Sequence, residues 1–219
     1  MQTVHFDAGP FTAKAIEGGF ADPVFGSQAV FAALMQAMAR PGRRKTLDDC
    51  LQPPAPLEPG LAAVALTLCD PDTPVWLSPA LRSDAVRAWL AFHAGCPLTE
   101  DEGAAAFVFC AQDETPPAQA ALHAGTQEYP DRAATLVLAL PALHGGPLLT
   151  LTGPGIDGSE TIAPVGLPEG FVAARADNRA LFPRGVDVVL VSGRDLLALP
   201  RTTVVAVADG SWPSNAEAN

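Results

Sequence analysis

The sequence predicts an α/β protein, and two observations carry the prediction. Short apolar runs rich in β-formers alternate along the chain with runs whose apolar residues recur at helical spacing. In addition, 48% of the 219 residues are hydrophobic and only 17% are charged, which supplies a well-buried body without staples. One domain is expected over residues 1–209. A tail, 210–219, containing Pro213, Ser214 and Asn215, is expected to be disordered.

The first helix is expected to start at Asp22-Pro23, a carboxylate at the N-cap followed by a proline suited to the first turn. Val30, Phe31, Leu34, Met35 and Met38 recur at helical spacing and are expected to form one buried stripe, which Arg40-Pro41-Gly42 ends. Residues 45–60 hold Pro53, Pro54, Pro56 and Pro59 and read as a surface connection. Leu61 to Leu68 suits a buried helix, and Pro74 to Ser78 a short strand. Ser83 caps a further helix whose Val86, Trp89, Leu90 and His93 share a face, and Gly95 stops it. A strand at Ala106 to Cys110, a helix near Pro117 to His123, and strands at Thr135 to Leu140 and Leu148 to Thr152 follow. The count ends with a helix around Glu169 to Ala180 and strands at Val186 to Val191 and Thr203 to Val207.

A net charge of -11 argues against nucleic acid and against an anionic membrane surface, since both reward a basic face. The charge is uneven: residues 1–170 hold 8 basic and 19 acidic side chains, and residues 171–219 hold 5 of each. Four scattered cysteines, Cys50, Cys69, Cys96 and Cys110, suit a reducing compartment, and no apolar stretch is long enough for a membrane span. A cytoplasmic location is therefore expected.

Gly153-Pro154-Gly155-Ile156-Asp157-Gly158 matches the spacing of a dinucleotide-binding turn, but Pro164, Gly166 and Pro168 follow too soon for the helix that would hold a pyrophosphate. A tight turn is the plainer reading. Arg40, Arg43, Arg44 and Lys45 lie beyond the first helix, where cations suit the helix dipole; they could also dock an acidic neighbour. Arg201-Thr202-Thr203 could form an anion-binding corner, with Arg184 before the Val186 strand as a second candidate; a strand start and a turn are the plain alternatives. His93 and Cys96 lack the further ligands of a zinc site, so His93 is expected to pack on its helix, as are Met35 and Met38. The chain carries no nucleophile elbow, no zinc-binding H-E-x-x-H and no P-loop, so no catalytic residues and no cofactor are expected.

Four stretches, Asp72 to Ser78, Leu151 to Ile156, Phe182 to Leu190 and Leu197 to Thr203, together with the helix end Met38 to Gly42, resemble the H-subunit family of bacterial carbon-phosphorus lyase. They keep the family's order across about Phe20 to Ala208. The resemblance implies a three-layer fold, a mixed sheet between helices, similar to the large domain of pyridoxal-phosphate-dependent transferases but without the cofactor. The lysines agree, because a Schiff base needs one and the chain has none after Lys45. The resemblance further implies a non-catalytic subunit that forms a homodimer alone. With the G, I and J subunits it would join a core complex that, with the L protein, makes alpha-D-ribose 1-methylphosphonate 5-triphosphate from ATP and methylphosphonate during phosphonate catabolism. A nucleotide- or phosphonate-positioning role at Arg201, Thr202 and Thr203 stands as the alternative.

Overall fold

Strands written almost wholly in Val, Leu and Ala dictate the architecture, because a strand apolar on both sides needs cover on both faces. The computed structural model describes residues 17–48 and 51–208. Its elements are α1 (Pro23–Ala39), β1 (Lys45–Thr46), α2 (Pro59–Leu68), β2 (Val75–Leu77), α3 (Asp84–His93), β3 (Phe107–Cys110) and β4 (Thr135–Ala139). They continue with β5 (Leu149–Thr152), β6 (Glu160–Ile162), α4 (Phe171–Ala180), β7 (Asp187–Ser192), β8 (Asp195–Leu199) and β9 (Val204–Val207).

Six strands form one mixed sheet in the order β1-β8-β7-β4-β3-β2. The run from β2 through β3 and β4 to β7 is parallel, and β8 and β1 are added antiparallel. Successive side chains point to opposite faces. Val137, Ala139, Val189 and Val191 accordingly enter the core that α1, α2 and α3 cover, whereas Leu136, Leu138, Val188 and Leu190 enter a second core. That second core is closed by Phe171 of α4 and by a three-stranded antiparallel sheet, β6-β5-β9. The fold is thus mixed α/β with both faces of the main sheet covered. The expected layer of helices is corrected on this side, where a second sheet shares the cover with α4.

The helix starts follow from local chemistry. Asp22 caps α1, its Oδ1 accepting from the amides of Val24 and Phe25 at 3.0 and 3.1 Å, and Pro23 opens the first turn. The Ser83 hydroxyl accepts from the Val86 amide at the start of α3. Four elements differ from expectation, one of them β6, a strand the sequence did not announce. The surface connection at 45–60 contains β1 and three buried leucines, Leu47, Leu51 and Leu57. The helix near Pro117 is only the 3-10 turn Gln119–Ala121. The hairpin partner β8 was not expected at all. The tail 210–219 lies outside the described residues.

Burial on α1 also corrects the expected stripe. Gly26, Val30, Leu34 and Ala37 face the core, while Phe31 and Met35 are 49% and 53% exposed and Val24 and Phe25 are 70% exposed. None of the 17 residues of α1 is charged. Apart from Gln28 and Gln36 the exposed side of α1 is largely apolar and carries no charge, so it calls for a partner surface.

Three thiols lie in the cores. Cys69, Cys96 and Cys110 are all buried, and burial pushes the Cys96 thiol up to about 11 and that of Cys110 to about 12. Raised values mean that the neutral thiol persists in the folded chain above the pH at which an unfolded one ionises. Iodoacetamide at pH 8 is expected to leave both unlabelled in the native protein and to label them in denaturant, read by mass spectrometry of peptides.

Candidate functional site

The residues expected to form an anion corner fall at one end of the fold. Arg201 sits in the turn after β8, and Arg184 lies three residues before β7, so the antiparallel β7–β8 pair brings both to one end of the main sheet. The side chains, however, are already engaged. The Arg201 guanidinium grips Asp187 with both arms, Nη2 to Oδ2 at 2.6 Å and Nε to Oδ1 at 3.2 Å, and the Arg201 amide donates to the same Oδ1 at 2.7 Å. Its Nη1 donates to the Pro130 carbonyl. The pair is largely shielded, with side chains 16% and 13% exposed. A carboxylate therefore occupies the bidentate edge that an anionic ligand would need.

Thr203 is 1% exposed, and its Oγ1 has no hydrogen-bond partner, so its hydroxyl does not face a ligand-accessible surface. Thr202 is partly exposed in the turn, and Arg184 is partly exposed with no ion pair among the described residues. Of the expected site residues, Arg184 and Thr202 keep partial exposure.

A second guanidinium, missed from the sequence, completes the corner. Arg175 on α4 is 1% exposed, and donates to the carbonyls of Val186 (2.9 Å), Leu199 (3.2 Å) and Pro200 (2.7 Å). Burial lowers its value to about 10, with Asp187 opposing and Arg201 adding to the fall, so it stays charged at neutral pH. Asn178, one helical turn on, clamps the Val186 backbone from the same helix face: its Oδ1 accepts from the Val186 amide at 2.7 Å, and its Nδ2 donates to the Val186 carbonyl at 3.1 Å. Phe171, Arg175 and Asn178 follow the spacing of one buried face, a signal readable in the sequence. Asp187 heads an otherwise apolar strand, a second readable signal. Arg201 on the Asp187 carboxylate, and Arg175 bonded to the neighbouring carbonyls, can lock α4 to the start of β7 and the end of β8. They include no nucleophile and no general base.

The glycine-rich turn is structural. Gly155 has φ +82°, and a Cβ there would collide with the Ala39 carbonyl, so the turn packs against the end of α1. A strand, β6, follows it instead of a phosphate-binding helix. Gly155→Ala is expected to lower the unfolding free energy by about 2 kcal/mol or more, measured by urea denaturation.

Among the basic residues after α1, Arg43 meets Glu160 at 3.5 Å, Arg44 meets Asp195 at 3.7 Å, and Lys45 Nζ donates to Gln36 Oε1 at 2.8 Å. Arg40 is exposed and has no ion pair among the described residues. His93 packs with the rings of Trp89 and Phe92, at centroid distances of 4.6 and 5.0 Å, and burial lowers its value. Among the described residues no group of three or more His, Cys, Asp or Glu side chains is arranged to hold a metal ion. No helix among them is long and apolar enough to cross a membrane.

A lowered histidine value means that the unfolded chain takes up a proton first as pH falls. Stability from His93 is therefore present above the unfolded value near 6.5 and is lost below it. His93→Gln is expected to flatten the pH dependence of the melting temperature between about pH 7 and pH 5, measured by calorimetry.

Comparison with known proteins places these features in context. The family model described as bacterial phosphonate metabolism protein (PhnH) matches residues 18–206. A protein of Rhizobium meliloti (strain 1021), named alpha-D-ribose 1-methylphosphonate 5-triphosphate synthase subunit PhnH, is 50% identical over 186 residues, covering 85% of this chain and 93% of its own. A protein of Stutzerimonas stutzeri, described as a C-P lyase subunit protein, HtxG, is 34% identical over 178 residues, covering 80% and 84%.

Proposed function

The chain belongs to the PhnH family of bacterial phosphonate metabolism proteins, and from that membership we propose that it is a non-catalytic subunit of a carbon-phosphorus lyase core complex. In this reading it assembles with G, I and J subunits in the cytoplasm and supports formation of alpha-D-ribose 1-methylphosphonate 5-triphosphate from ATP and methylphosphonate. Alone it pairs with a second copy of itself, and it exchanges that contact for the J subunit. Its body is that of the large domain of a pyridoxal-phosphate-dependent transferase used without the cofactor.

The observation that carries the reading is α1: 17 uncharged residues whose outward side exposes Val24, Phe25, Phe31 and Met35. Such a face suits burial against another chain and suits no small substrate. The lysines support the absence of pyridoxal chemistry, since only Lys14 and Lys45 occur and neither lies in the long region that would carry the Schiff base. The alternative, a subunit that positions a nucleotide or phosphonate at Arg201, Thr202 and Thr203, would require Asp187 to release Arg201.

Reconstitution tests the role. The G, I, J and L proteins with ATP and methylphosphonate are expected to release adenine when this chain is present and to lose most of that release without it. The chain by itself is expected to release none, and turnover by the isolated polypeptide would overturn the proposal.

A further inference from the structure

The main sheet ends at β1, whose strand neighbour is β8. In antiparallel pairing, residue pairs alternate between those that exchange hydrogen bonds and those that do not. The Leu47 amide donates to the Arg194 carbonyl at 2.9 Å, so the adjacent pair, Thr46 with Asp195, is of the other kind. The Thr46 amide and carbonyl consequently point away from β8, toward an edge that no other strand among the described residues pairs. Thr46 is exposed, and its hydroxyl is engaged by the Asp195 carboxylate at 2.5 Å.

Beside this edge lies a cleft of about 190 Å3 between α1 and the β1 segment. Ala29, Ala32 and Ala33 form its helix wall, and residues 45–48 form the other. Small side chains on the helix leave width for a polypeptide backbone. Lys45 and Gln36 line the cleft, and the Lys45 ammonium meets Gln36 but no carboxylate among the described residues. Arg43 and Arg44 are paired with Glu160 and Asp195, so the positive charge this end of the cleft offers is that of Lys45, on a chain of net charge -11, and Asp48 sits at the other end.

An open edge amide, a narrow apolar wall and an uncompensated ammonium fit one occupant. We infer that the cleft receives an extended acidic segment of a neighbouring subunit as a seventh strand of the sheet, bonded to Thr46, packed on the alanines and paired with Lys45. The inference rests on the assembly proposed above and names where one contact of that assembly is made.

Four variants test it, each purified with co-expressed G, I and J subunits. Thr46→Pro removes the outward amide at an edge position where β8 does not use it, so the fold tolerates the change. Thr46→Val removes the hydroxyl and keeps the amide. Ala32→Leu fills the cleft from an exposed helix position, and Lys45→Glu reverses the charge. Thr46→Val is expected to assemble as the wild type does, and the other three to be recovered in the complex at least tenfold less. The isolated variants are expected to melt within about 4 °C of wild type. Exchange of the Thr46 amide is expected to be fast in the isolated chain and slow in the complex. Equal recovery of all four variants beside an assembling wild type would overturn the cleft alone. So would a Thr46 amide already slow in the isolated chain, because the chain's own residues would then cover the edge. A wild type that fails to assemble would overturn the proposed function and the cleft together.

Discussion

Arg201→Ala is expected to lower the unfolding free energy by about 3–5 kcal/mol, the usual cost of leaving one member of a shielded ion pair alone. The variant strands Asp187, which loses both guanidinium bonds at 2.6 and 3.2 Å and keeps only the amide of residue 201. Burial raises the cost, because the Asp187 residue is 9% exposed and water cannot fully replace the lost donors. The nearby charge of Arg175 remains, since its own bonds go to three carbonyls rather than to Asp187. Denaturation in urea measures the loss. The double variant Arg201→Ala/Asp187→Ala is expected to be less destabilised than the sum of its two singles, because it leaves no unpaired carboxylate. If Arg201 instead served a ligand, its removal would leave stability near wild type.

Phe31→Asp, alone or with Met35→Asp, is expected to weaken association with the other subunits by about 100-fold or more while leaving the isolated chain folded. Both residues are about half exposed, so a charge there stays in water in the free protein and costs about 0.5 kcal/mol or less. At a packed interface the same charge would be buried without a partner, and aromatic anchors of this kind often carry 2 kcal/mol or more. Paired measurements separate the effects: calorimetry of the isolated variant for stability, and titration against the remaining subunits for affinity. Loss of the fold with loss of binding would assign Phe31 to the core instead.

Much of the architecture was legible because it is written locally. Asp22-Pro23 marks the start of α1, Ser83 the start of α3, and the apolar runs at Phe107 to Cys110, Thr135 to Ala139 and Asp187 to Ser192 mark the parallel strands. The strands that escaped, β1 with two residues and β6 with three, are too short for a period to register. Missing β8 had a consequence for the site. Its register sets Val188 against Leu199, which carries Asp187 to the turn that holds Arg201, and without that hairpin the two are merely 14 residues apart. Phe31 and Met35 were misplaced for another reason. Hydrophobic spacing reports what a side chain avoids, and an unpaired interface satisfies it as well as a core does.

The central claim, that this chain acts through contact with companion subunits, is tested most directly by co-expressing it with the G, I and J subunits and resolving the mixture by size exclusion. It is expected to elute at stoichiometric level in the large species, with little left at its own mass of 22.6 kDa or at twice that mass. An intact assembly of the other subunits with this chain eluting separately would contradict the account.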